Sequence, residues 1–287
     1  MNKKLLLIPF AILTYGGILF VNNSLFGLHI ILLILILTLF FAHHKTRSIV
    51  VNLFPIILYG LVYDLLRFFP NHSFNKIHFK EPYNLEKSLF GFEWLGKIVT
   101  PNEYFAQNHT YFLDLLCGFT YLTWIPIPVI LMIIWWVKDK AFMQHFIIAF
   151  VATNLLGMVG YYLYPAAPPW YIADYGFEWV QSALASPAGH ARFDEHLNVS
   201  IFHGMYGANP NVYGAIPSLH CANPIIVTYF ISKKYGWIAF ILGLFYAATM
   251  WFSAVYSIHH YIIDALAGFG VAILGIFISN IIVRKKK

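Results

Sequence analysis

Long apolar segments joined by short or polar connections make up most of the chain. About 20 apolar residues cross a bilayer as a helix, because backbone N–H and C=O groups in hydrocarbon must be paired within the segment. Eight segments fit this rule, and 215–232 is kept among them although it contains two prolines. They are 5–22, 25–42, 48–66, 111–137, 141–164, 215–232, 237–256 and 260–283. The pattern predicts an all-α, polytopic membrane helix bundle of about eight transmembrane helices, forming a single integral membrane domain over residues 1–287.

The composition excludes an ordinary soluble domain. The chain is 60% hydrophobic and 10% charged, with a mean hydropathy of +0.67, whereas about 25% of the residues of a soluble domain are charged. Lys3 and Lys4 before the first apolar run resemble the start of a secretory signal, but no small-residue cleavage site follows the run. We therefore expect an uncleaved first helix.

The basic residues lie mostly on one side of the predicted bundle. If the N-terminus is cytoplasmic, the cytoplasmic connections hold 12 of the 18 Lys and Arg residues and one acid, Asp139. The 12 are Lys3, Lys4, Lys45, Arg47, Lys138, Lys140, Lys233, Lys234, Arg284, Lys285, Lys286 and Lys287. Cytoplasmic loops collect Lys and Arg, so both termini are predicted to be cytoplasmic. The net charge of +6 reflects this topology, and no nucleic-acid partner is predicted.

Two long connections lie on the outer side. Within 67–110, the stretch NLEKSLFGFEWLGKI has four apolar residues at helical spacing: Leu85, Leu89, Phe92 and Leu95. This spacing predicts an interfacial helical loop, with a helix covering the top of the bundle as the alternative. Residues 165–214 contain five prolines and five glycines, so they cannot form one helix, and they are predicted to be an extracytoplasmic cap loop.

Ionisable side chains at membrane depth are costly, which makes them functional candidates. Three clusters lie at outer ends of the predicted helices. The first ends the third segment with Tyr63, Asp64 and Arg67, in which Asp64 and Arg67 share a helix face. A structural ion pair at the bilayer edge is the alternative use of this cluster.

The other two clusters carry histidines where helices are predicted to begin. In AIPSLHCANP, Pro217 suits a first helical turn, whose free N–H groups favour an anion such as phosphate, and His220 follows. In SIHHYIIDALAG, His260 and Asp264 are four residues apart and share a helix face. A carboxylate bonded to one ring nitrogen fixes the tautomer and makes the other nitrogen a better nucleophile or base. The pattern predicts a His/His/Asp site at the outer surface.

A metal site is the competing use of the same residues. His220, His259, His260 and Asp264 could together hold zinc. Adjacent His259 and His260 point about 100° apart on a helix, so they cannot easily bind one ion. Acid–base chemistry at phosphorus needs no metal, and neither a metal nor a cofactor is predicted.

Signatures of several other enzyme classes are missing from the chain. There is no CxxC, no HExxH, no phosphate-binding loop ending in Lys and Ser or Thr, and no GxGxxG after a strand. Cys117 and Cys221 lie in or at the ends of apolar segments, and no structural disulfide is predicted between them.

The histidine motifs resemble those of the type-2 phosphatidic acid phosphatase superfamily. PSLH at 217–220 is similar to the second superfamily motif, PSGH, and Ser253, His260 and Asp264 keep the spacing of the third motif. Ala254 stands where the third motif has arginine, and the first motif, with Lys and Arg-Pro, is missing. The resemblance implies a six-helix, lipid-phosphatase-like core within the bundle.

These departures fit one branch of the superfamily better, the inositol phosphorylceramide synthases and their bacterial relatives. That branch has a Tyr-Asp…Arg element, a Pro-Pro-Trp-Tyr element, PSLH and HHY…D. All four occur here in the same order, over about residues 60–270. The first two are matched by Tyr63, Asp64 and Arg67, and by Pro168, Pro169, Trp170 and Tyr171.

The resemblance implies a role for each residue. His260, polarised by Asp264, attacks the donor phosphorus or acts as a base toward the acceptor hydroxyl, and His220 protonates the departing diacylglycerol oxygen. The implied substrate-binding residues are Tyr63, Asp64, Arg67, Trp170, Tyr171, Arg192, Ser218 and His259. Among them Arg67, or secondarily Arg192, holds phosphoryl oxygens in place of the missing arginines. For the Trp-Tyr pair, an interfacial aromatic belt is the alternative.

The function implied by the resemblance is transfer of phosphoinositol from phosphatidylinositol to ceramide, with release of diacylglycerol. One alternative is a hydrolase of the same superfamily acting on a lipid phosphate or a polyprenyl pyrophosphate. Another is a non-catalytic lipid transporter in which the acid and histidines relay protons. The expected location is a bacterial inner membrane with a periplasm-facing site, although a Golgi protein with a lumenal site would have the same topology. The motifs specify neither the head group nor the oligomeric state.

Overall fold

The computed structural model describes residues 3–207 and 212–285, without the side chains of Lys3 and Lys4. Within it the chain forms two compact units, 1–66 and 67–287. The single membrane domain over 1–287 stays a prediction. The polytopic helical membrane architecture is confirmed, because the chain is largely helical and its described residues include four helices long and apolar enough to cross a membrane.

The first unit consists of three helices: α1 (Leu7–Val21), α2 (Gly27–Ala42) and α3 (His44–Leu65). Its core is aliphatic and aromatic, formed by Ile8, Ile12, Phe40 and Val50. Polar groups meet at the end of α3, where the Tyr15 hydroxyl donates to Asp64 Oδ2 at 2.9 Å and His29 Nε2 lies 3.8 Å from Asp64 Oδ1. The Asp64 carboxylate therefore has partners inside this unit.

The second unit carries the remaining helices and one small sheet. In chain order they are α4 (Lys80–Phe90), β1 (Phe92–Trp94), β2 (Lys97–Val99), α5 (Pro101–Gln107), α6 (Tyr111–Leu122), α7 (Pro126–Lys138), α8 (Lys140–Leu163), α9 (Pro169–Tyr175), α10 (Ala191–Leu197), α11 (Ile201–Gly207), α12 (Leu219–Tyr235), α13 (Trp237–Tyr256) and α14 (Ile262–Arg284). Short 3-10 turns occupy Leu66–Phe68, Asn71–Ser73 and Ala188–His190.

All eight predicted apolar segments are helical over most of their length, but not all are long enough to span a membrane by themselves. Within the described residues, four helices are long and apolar enough to cross a membrane: the one starting at His44, α8, α13 and α14. The predicted span 111–137 is broken into α6 and α7, which meet at 41° where Pro126 starts the second helix. Counting that pair as one span gives five, so the number eight stays a prediction.

Helices α8, α12 and α14 pack together at the centre of the second unit, and glycines permit their closest approaches. A Cβ added at Gly268 of α14 would overlap the carbonyl oxygen of Ser218, at the start of α12. A Cβ at Gly157 of α8 would likewise collide with the Leu219 side chain. Both glycines therefore let neighbouring helices contact the first turn of α12, where the PSLH motif lies.

The segment 67–110 differs from its prediction. Helix α4 ends at Phe90, and Phe92 and Leu95 belong to a β-hairpin rather than to the helix. The physical reason is the backbone at the turn, where Leu95 and Gly96 both have positive φ, as a two-residue hairpin turn of the primed kind requires. Leu85 and Leu89 do lie on the helix and are exposed, so the interfacial position of this loop remains a prediction.

The segment 165–214 is not one helix, in agreement with its prolines and glycines. It forms α9, α10 and α11 with turns between them, and residues 208–211 lie outside the described part. A buried cluster of Ala167, Trp170, Tyr171 and Tyr213 packs its first part. Its backbone is fixed to the loop after α13, since Trp170 N–H donates to Ile258 O and Gly189 N–H donates to Ser257 O.

Candidate active site

The His260–Asp264 pair lies where α14 begins, and both side chains are buried. Nδ1 of His260 is 3.1 Å from the carbonyl oxygen of Ala215 and 3.4 Å from Asp264 Oδ2. Both neighbours are hydrogen-bond acceptors, so Nδ1 must carry the proton. The other nitrogen, Nε2, then has a free lone pair and is the nucleophilic atom of the neutral ring.

The backbone before His260 is held in an unusual conformation. Helix α13 ends in a Schellman pattern, because Ile258 N–H donates to Val255 O and His259 N–H donates to Ala254 O. Ile258 occupies the left-handed position with φ of 54°, which costs a β-branched residue about 1–3 kcal/mol. His260 N–H also donates to Ala254 O, so the surrounding bonds fix the position of the histidine backbone.

His220 is brought to the same place by the start of α12. Ser218 caps this helix, its Oγ accepting from Cys221 N–H at 3.3 Å, and its own N–H donates to the backbone oxygen of Asp264 at 2.9 Å. The His220 ring lies 5.6 Å from that of His260, centroid to centroid. The two predicted histidine motifs therefore meet, close enough for both rings to contact one phosphodiester group.

An aromatic cluster surrounds His220. Its ring stacks on Tyr121 of α6, with centroids 4.3 Å apart, and contacts Trp124 at 4.6 Å. The cap contributes His190, whose ring is 4.4 Å from Tyr121, and His190 Nε2 is buried without a hydrogen-bond partner in the described residues. Burial, and then the charges of His259, His220 and Arg192, lower the pKa of His190 well below its usual value.

His259 contacts the cap, and its ring lies 5.6 Å from that of Tyr121. Its Nε2 donates to the carbonyl oxygen of Pro187 at 2.9 Å, and its ring stacks on Tyr206 at 4.4 Å. Burial, then the charge of His260, lowers the pKa of His259 from 6.5 to about 3, so the ring is neutral. These contacts hold the cap, and the predicted role of His259 in substrate binding is untested.

Arg192 of α10 lies next to the loop that follows α13, because a Cβ added at Gly189 would contact both its Nη2 and Ser257 Cα. Its Nε donates to Asp114 Oδ1 at 2.7 Å, and Tyr256 OH donates to the same oxygen at 2.9 Å. The guanidinium lies over the Tyr256 ring, and its Nη2 is buried without a hydrogen-bond partner in the described residues. The cap thus contributes an arginine, whereas Ala254 stands at the sequence position of the superfamily arginine.

The remaining predicted substrate-binding residues belong to the cap, to the end of the first unit and to the start of the second. Tyr171 OH donates to Glu178 O and accepts from Val180 N–H, so its hydroxyl is used within the cap. Trp170 and Tyr171 are both buried, which argues against a lipid-facing aromatic belt. Tyr63 and Asp64 end α3 in the first unit, and Arg67 begins the second unit in a 3-10 turn. Head-group contact by these residues stays a prediction.

No three His, Cys, Asp or Glu side chains converge as metal ligands within residues 3–207 and 212–285. His259 and His260 make separate contacts. Both residues precede α14, which begins at Ile262, so the helical geometry predicted for this stretch does not apply to them. Cys117 and Cys221 are buried and free.

Sequence reasoning missed Asp114, His190 and Glu86. Asp114 had a visible signal, an acid inside an apolar segment, but its partner Arg192 lies 78 residues away. Glu86 lies in the stretch NLEKSLFGFEWLGKI, where an acid gives no local signal of burial, yet it is buried and accepts from Ile262 N–H and Ile263 N–H at 3.1 Å each. It thereby caps the helix that carries Asp264.

Comparisons with known proteins identify the family of the chain. The family model of the PAP2 superfamily matches residues 88–278. Phosphoinositol dihydroceramide synthase of Bacteroides thetaiotaomicron is 43% identical over 249 residues, which is 86% of this chain and 82% of that protein. Inositol phosphorylceramide synthase of Candida albicans is 33% identical over 44% of this chain and 27% of its own length. The catalytic subunit of the Saccharomyces cerevisiae synthase is 33% identical over 40% of this chain and 29% of its own length. No solved structure matches. The chain therefore belongs to the PAP2 superfamily, in the branch of the inositol phosphorylceramide synthases.

Proposed function

We propose that the protein is a membrane phosphotransferase that moves phosphoinositol from phosphatidylinositol to the primary hydroxyl of a ceramide-type lipid and releases diacylglycerol. The observation that carries the proposal is the pair of histidine rings, His220 and His260, whose centroids lie 5.6 Å apart. Nδ1 of His260 donates to the carbonyl oxygen of Ala215, which leaves Nε2 for the reaction. The 43% identity to a phosphoinositol dihydroceramide synthase supports the choice of a phosphoinositol donor and a ceramide-type acceptor.

The reaction proceeds in two displacements. In the first, Nε2 of His260 forms a bond to the donor phosphorus, the phosphorus–oxygen bond to diacylglycerol breaks, and His220 gives a proton to the departing oxygen. In the second, the acceptor hydroxyl gives its proton to His220 and attacks the phosphorus, and the His260–phosphorus bond breaks. Asp264 stabilises the positive charge that His260 carries between the two steps.

The membrane arrangement that fits this chemistry has about eight transmembrane helices, a six-helix core and two cytoplasmic termini. Helices α12 and α14 both begin at the histidine site and end in basic residues, Lys233 and Lys234 in one and Arg284 in the other. At 1.5 Å per residue, the 17 residues of α12 extend about 25 Å. Because basic ends favour the cytoplasm, the site is assigned to the opposite face, the periplasmic one in a bacterial inner membrane.

A product assay tests the proposal. Purified protein is mixed with labelled phosphatidylinositol and either ceramide or dihydroceramide, and diacylglycerol and phosphoinositol-ceramide are measured. We expect His220→Ala and His260→Ala each to reduce the rate by at least about 100-fold, the low end for a general acid–base group. His44→Ala, at an exposed histidine of the first unit, is the matched control and should leave the rate unchanged. Full activity in either active-site variant would overturn the assignment.

The same assay separates transfer from hydrolysis and defines the donor. A transferase forms product only when the acceptor is present, whereas a hydrolase releases inositol phosphate at the same rate without it. Phosphatidylglycerol and phosphatidylethanolamine are offered in parallel with phosphatidylinositol. We expect transfer from the inositol lipid alone, and equal use of all three lipids would contradict phosphoinositol specificity.

A further inference from the structure

Asp114 is a buried carboxylate whose two oxygens are both occupied. It lies in the first turn of α6, and its side chain is 1% exposed. Oδ1 accepts from Arg192 Nε at 2.7 Å and from Tyr256 OH at 2.9 Å, while Oδ2 lies 3.1 Å from His196 Nε2. Arg192 and His196 both belong to α10, so one carboxylate fixes this helix of the cap to α6 and α13.

The bond to Asp114 uses only one edge of the guanidinium. Arginine has five N–H groups, and Nε is the one that carries a single hydrogen. The far nitrogen, Nη2, is buried and has no hydrogen-bond partner among the described residues. A Cβ added at Gly189 would lie 3.0 Å from Nη2 and 2.8 Å from Ser257 Cα, so Nη2 lies at the contact between the cap and the histidine loop.

A buried cationic N–H without a partner costs more than about 1–3 kcal/mol, so such a group calls for a ligand. The partner of a guanidinium is an anion with paired oxygens, a carboxylate or a phosphate. Ala254, at the position of the superfamily arginine, has no side chain that could bind a phosphoryl oxygen, although its carbonyl accepts from both His259 N–H and His260 N–H. The donor phosphodiester is the anion that the reaction brings to this place.

We infer that Asp114 is the positioning residue of the phosphoryl-binding site. It holds Arg192 through Nε and so directs the terminal guanidinium nitrogens toward the phosphodiester next to His260. The inference rests on the proposed function only for the identity of the ligand, a lipid phosphodiester. It also selects between the two arginines considered from the sequence, because Arg192 rather than Arg67 then binds the phosphoryl oxygens.

The competing explanation is structural, with Asp114 and Arg192 simply fixing the cap in place. A double-mutant cycle distinguishes the two. We expect R192A to lower kcat/KM by about 100-fold, as loss of a transition-state hydrogen-bond donor does. D114N should lower it by about 10–100-fold, as loss of a supporting residue does. The double variant should have a kcat/KM no lower than that of R192A, because Asp114 affects the phosphoryl group only through Arg192.

Chemical rescue gives a readout that a structural role would not change. Guanidinium ion, added at low millimolar concentration, should restore part of the activity of R192A, because Asp114 can bind it in the vacated position. The D114N/R192A variant should not be rescued. Equal rescue in both variants, or multiplicative losses in the double variant, would overturn the inference. Glu195 is an exposed acid on α10, the helix that carries Arg192. Glu195→Gln is the control for loss of a negative charge in this region and should behave as the wild type.

A binding assay keeps this test independent of the transfer reaction. Orthovanadate, an analogue of the phosphoryl group, should raise the melting temperature of the wild type and of E195Q, have no effect on R192A, and bind D114N about 10-fold more weakly. If this pattern appears while no ceramide product forms, the proposed function is wrong and Asp114 keeps its role. If vanadate stabilises R192A and D114N as much as the wild type, the positioning role is wrong, whatever the product assay gives.

Discussion

Asp264 has two functions at the residue scale, and substitutions can separate them. Its Oδ2 accepts from Tyr261 N–H at 2.9 Å, which caps α14, and lies 3.4 Å from His260 Nδ1. In Asp264→Asn the side chain keeps its shape and an oxygen for the cap but loses the charge that stabilises a cationic His260. We expect kcat to fall about 10²–10⁴-fold, with little change in KM or melting temperature.

Asp264→Ala is the comparison for this prediction. It removes the helix cap as well as the charge, so it should lose activity at least as severely and also about 1 kcal/mol of stability. Steady-state kinetics and thermal unfolding in detergent measure the two effects. A D264N enzyme with near wild-type kcat would mean that Ala215 O alone orients His260.

The sequence predicted both histidine motifs from local patterns, but it missed the contacts that depend on how distant segments fold together. His260 and Asp264 are four residues apart, and this spacing predicted their contact, although His260 precedes α14 and only Asp264 lies on the helix. The Asp114–Arg192 bond joins residues 78 positions apart, through a cap whose path is not encoded in any local period. Asp64 illustrates the same limit, because its partners Tyr15 and His29 come from other helices of the first unit.

At the scale of elements, the stability of the contact between α4 and α14 depends on whether the Glu86 carboxyl is protonated. Burial raises the pKa of Glu86 from 4.5 to about 7, although its bonds from Ile262 and Ile263 lower it and the charge of Asp264 raises it. The folded protein therefore binds this proton more tightly than the unfolded chain does. Stability from this group is present below pH 4.5 and is lost as the pH rises to about 7.

Glu86→Gln isolates this effect because the amide does not titrate. The stability of the wild type minus that of E86Q should fall between pH 4.5 and 7, by at most about 3 kcal/mol. Thermal unfolding of both proteins across this range measures the difference. Glu93→Gln, on the neighbouring hairpin, is the control for an exposed carboxylate. A difference independent of pH would show that Glu86 does not titrate in this range.

The turn of the hairpin between α4 and α5 allows a second prediction, about the stability of β1 and β2. Leu95 has φ of 49° and is 80% exposed. Its left-handed backbone is therefore strained, and no burial of the side chain offsets that strain. Leu95→Asn should stabilise the turn by up to about 1 kcal/mol, because Asn tolerates this conformation. Leu95→Val should destabilise it. Hydrogen exchange of the amides in β1 and β2 measures both, and faster exchange in L95N would contradict the strain argument.

Helices were predicted correctly where the apolar composition of a segment determines its structure. The prediction failed where a single turn determines the end of a helix. Apolar runs identified every long helix, because a run of that length in a membrane has no other way to pair its backbone. In the stretch after Lys80 the apolar period continued from Leu89 to Phe92 and Leu95, although the helix stops at Phe90. Periodicity carries no information on where Gly91 and the Leu95–Gly96 turn redirect the chain.

At the scale of the whole molecule, the arrangement of charge and site predicts which face of the membrane carries the chemistry. The cap and both histidines lie at the starts of α12 and α14, and the basic residues lie at the ends of the same helices. If these helices cross the bilayer, their starts and their ends lie on opposite faces of the membrane. The site and Arg284 must therefore be on opposite sides if α14 spans the bilayer.

Single cysteines report this orientation directly. Cys117 and Cys221 are buried, so native background labelling should be low. Glu195→Cys places a thiol on the exposed face of the cap, and Lys285→Cys places one just after α14. In spheroplasts of a bacterial host, a membrane-impermeant maleimide should label E195C at once and K285C only after the membrane is permeabilised. The reverse pattern would put the histidine site in the cytoplasm and contradict the topology predicted from the basic residues.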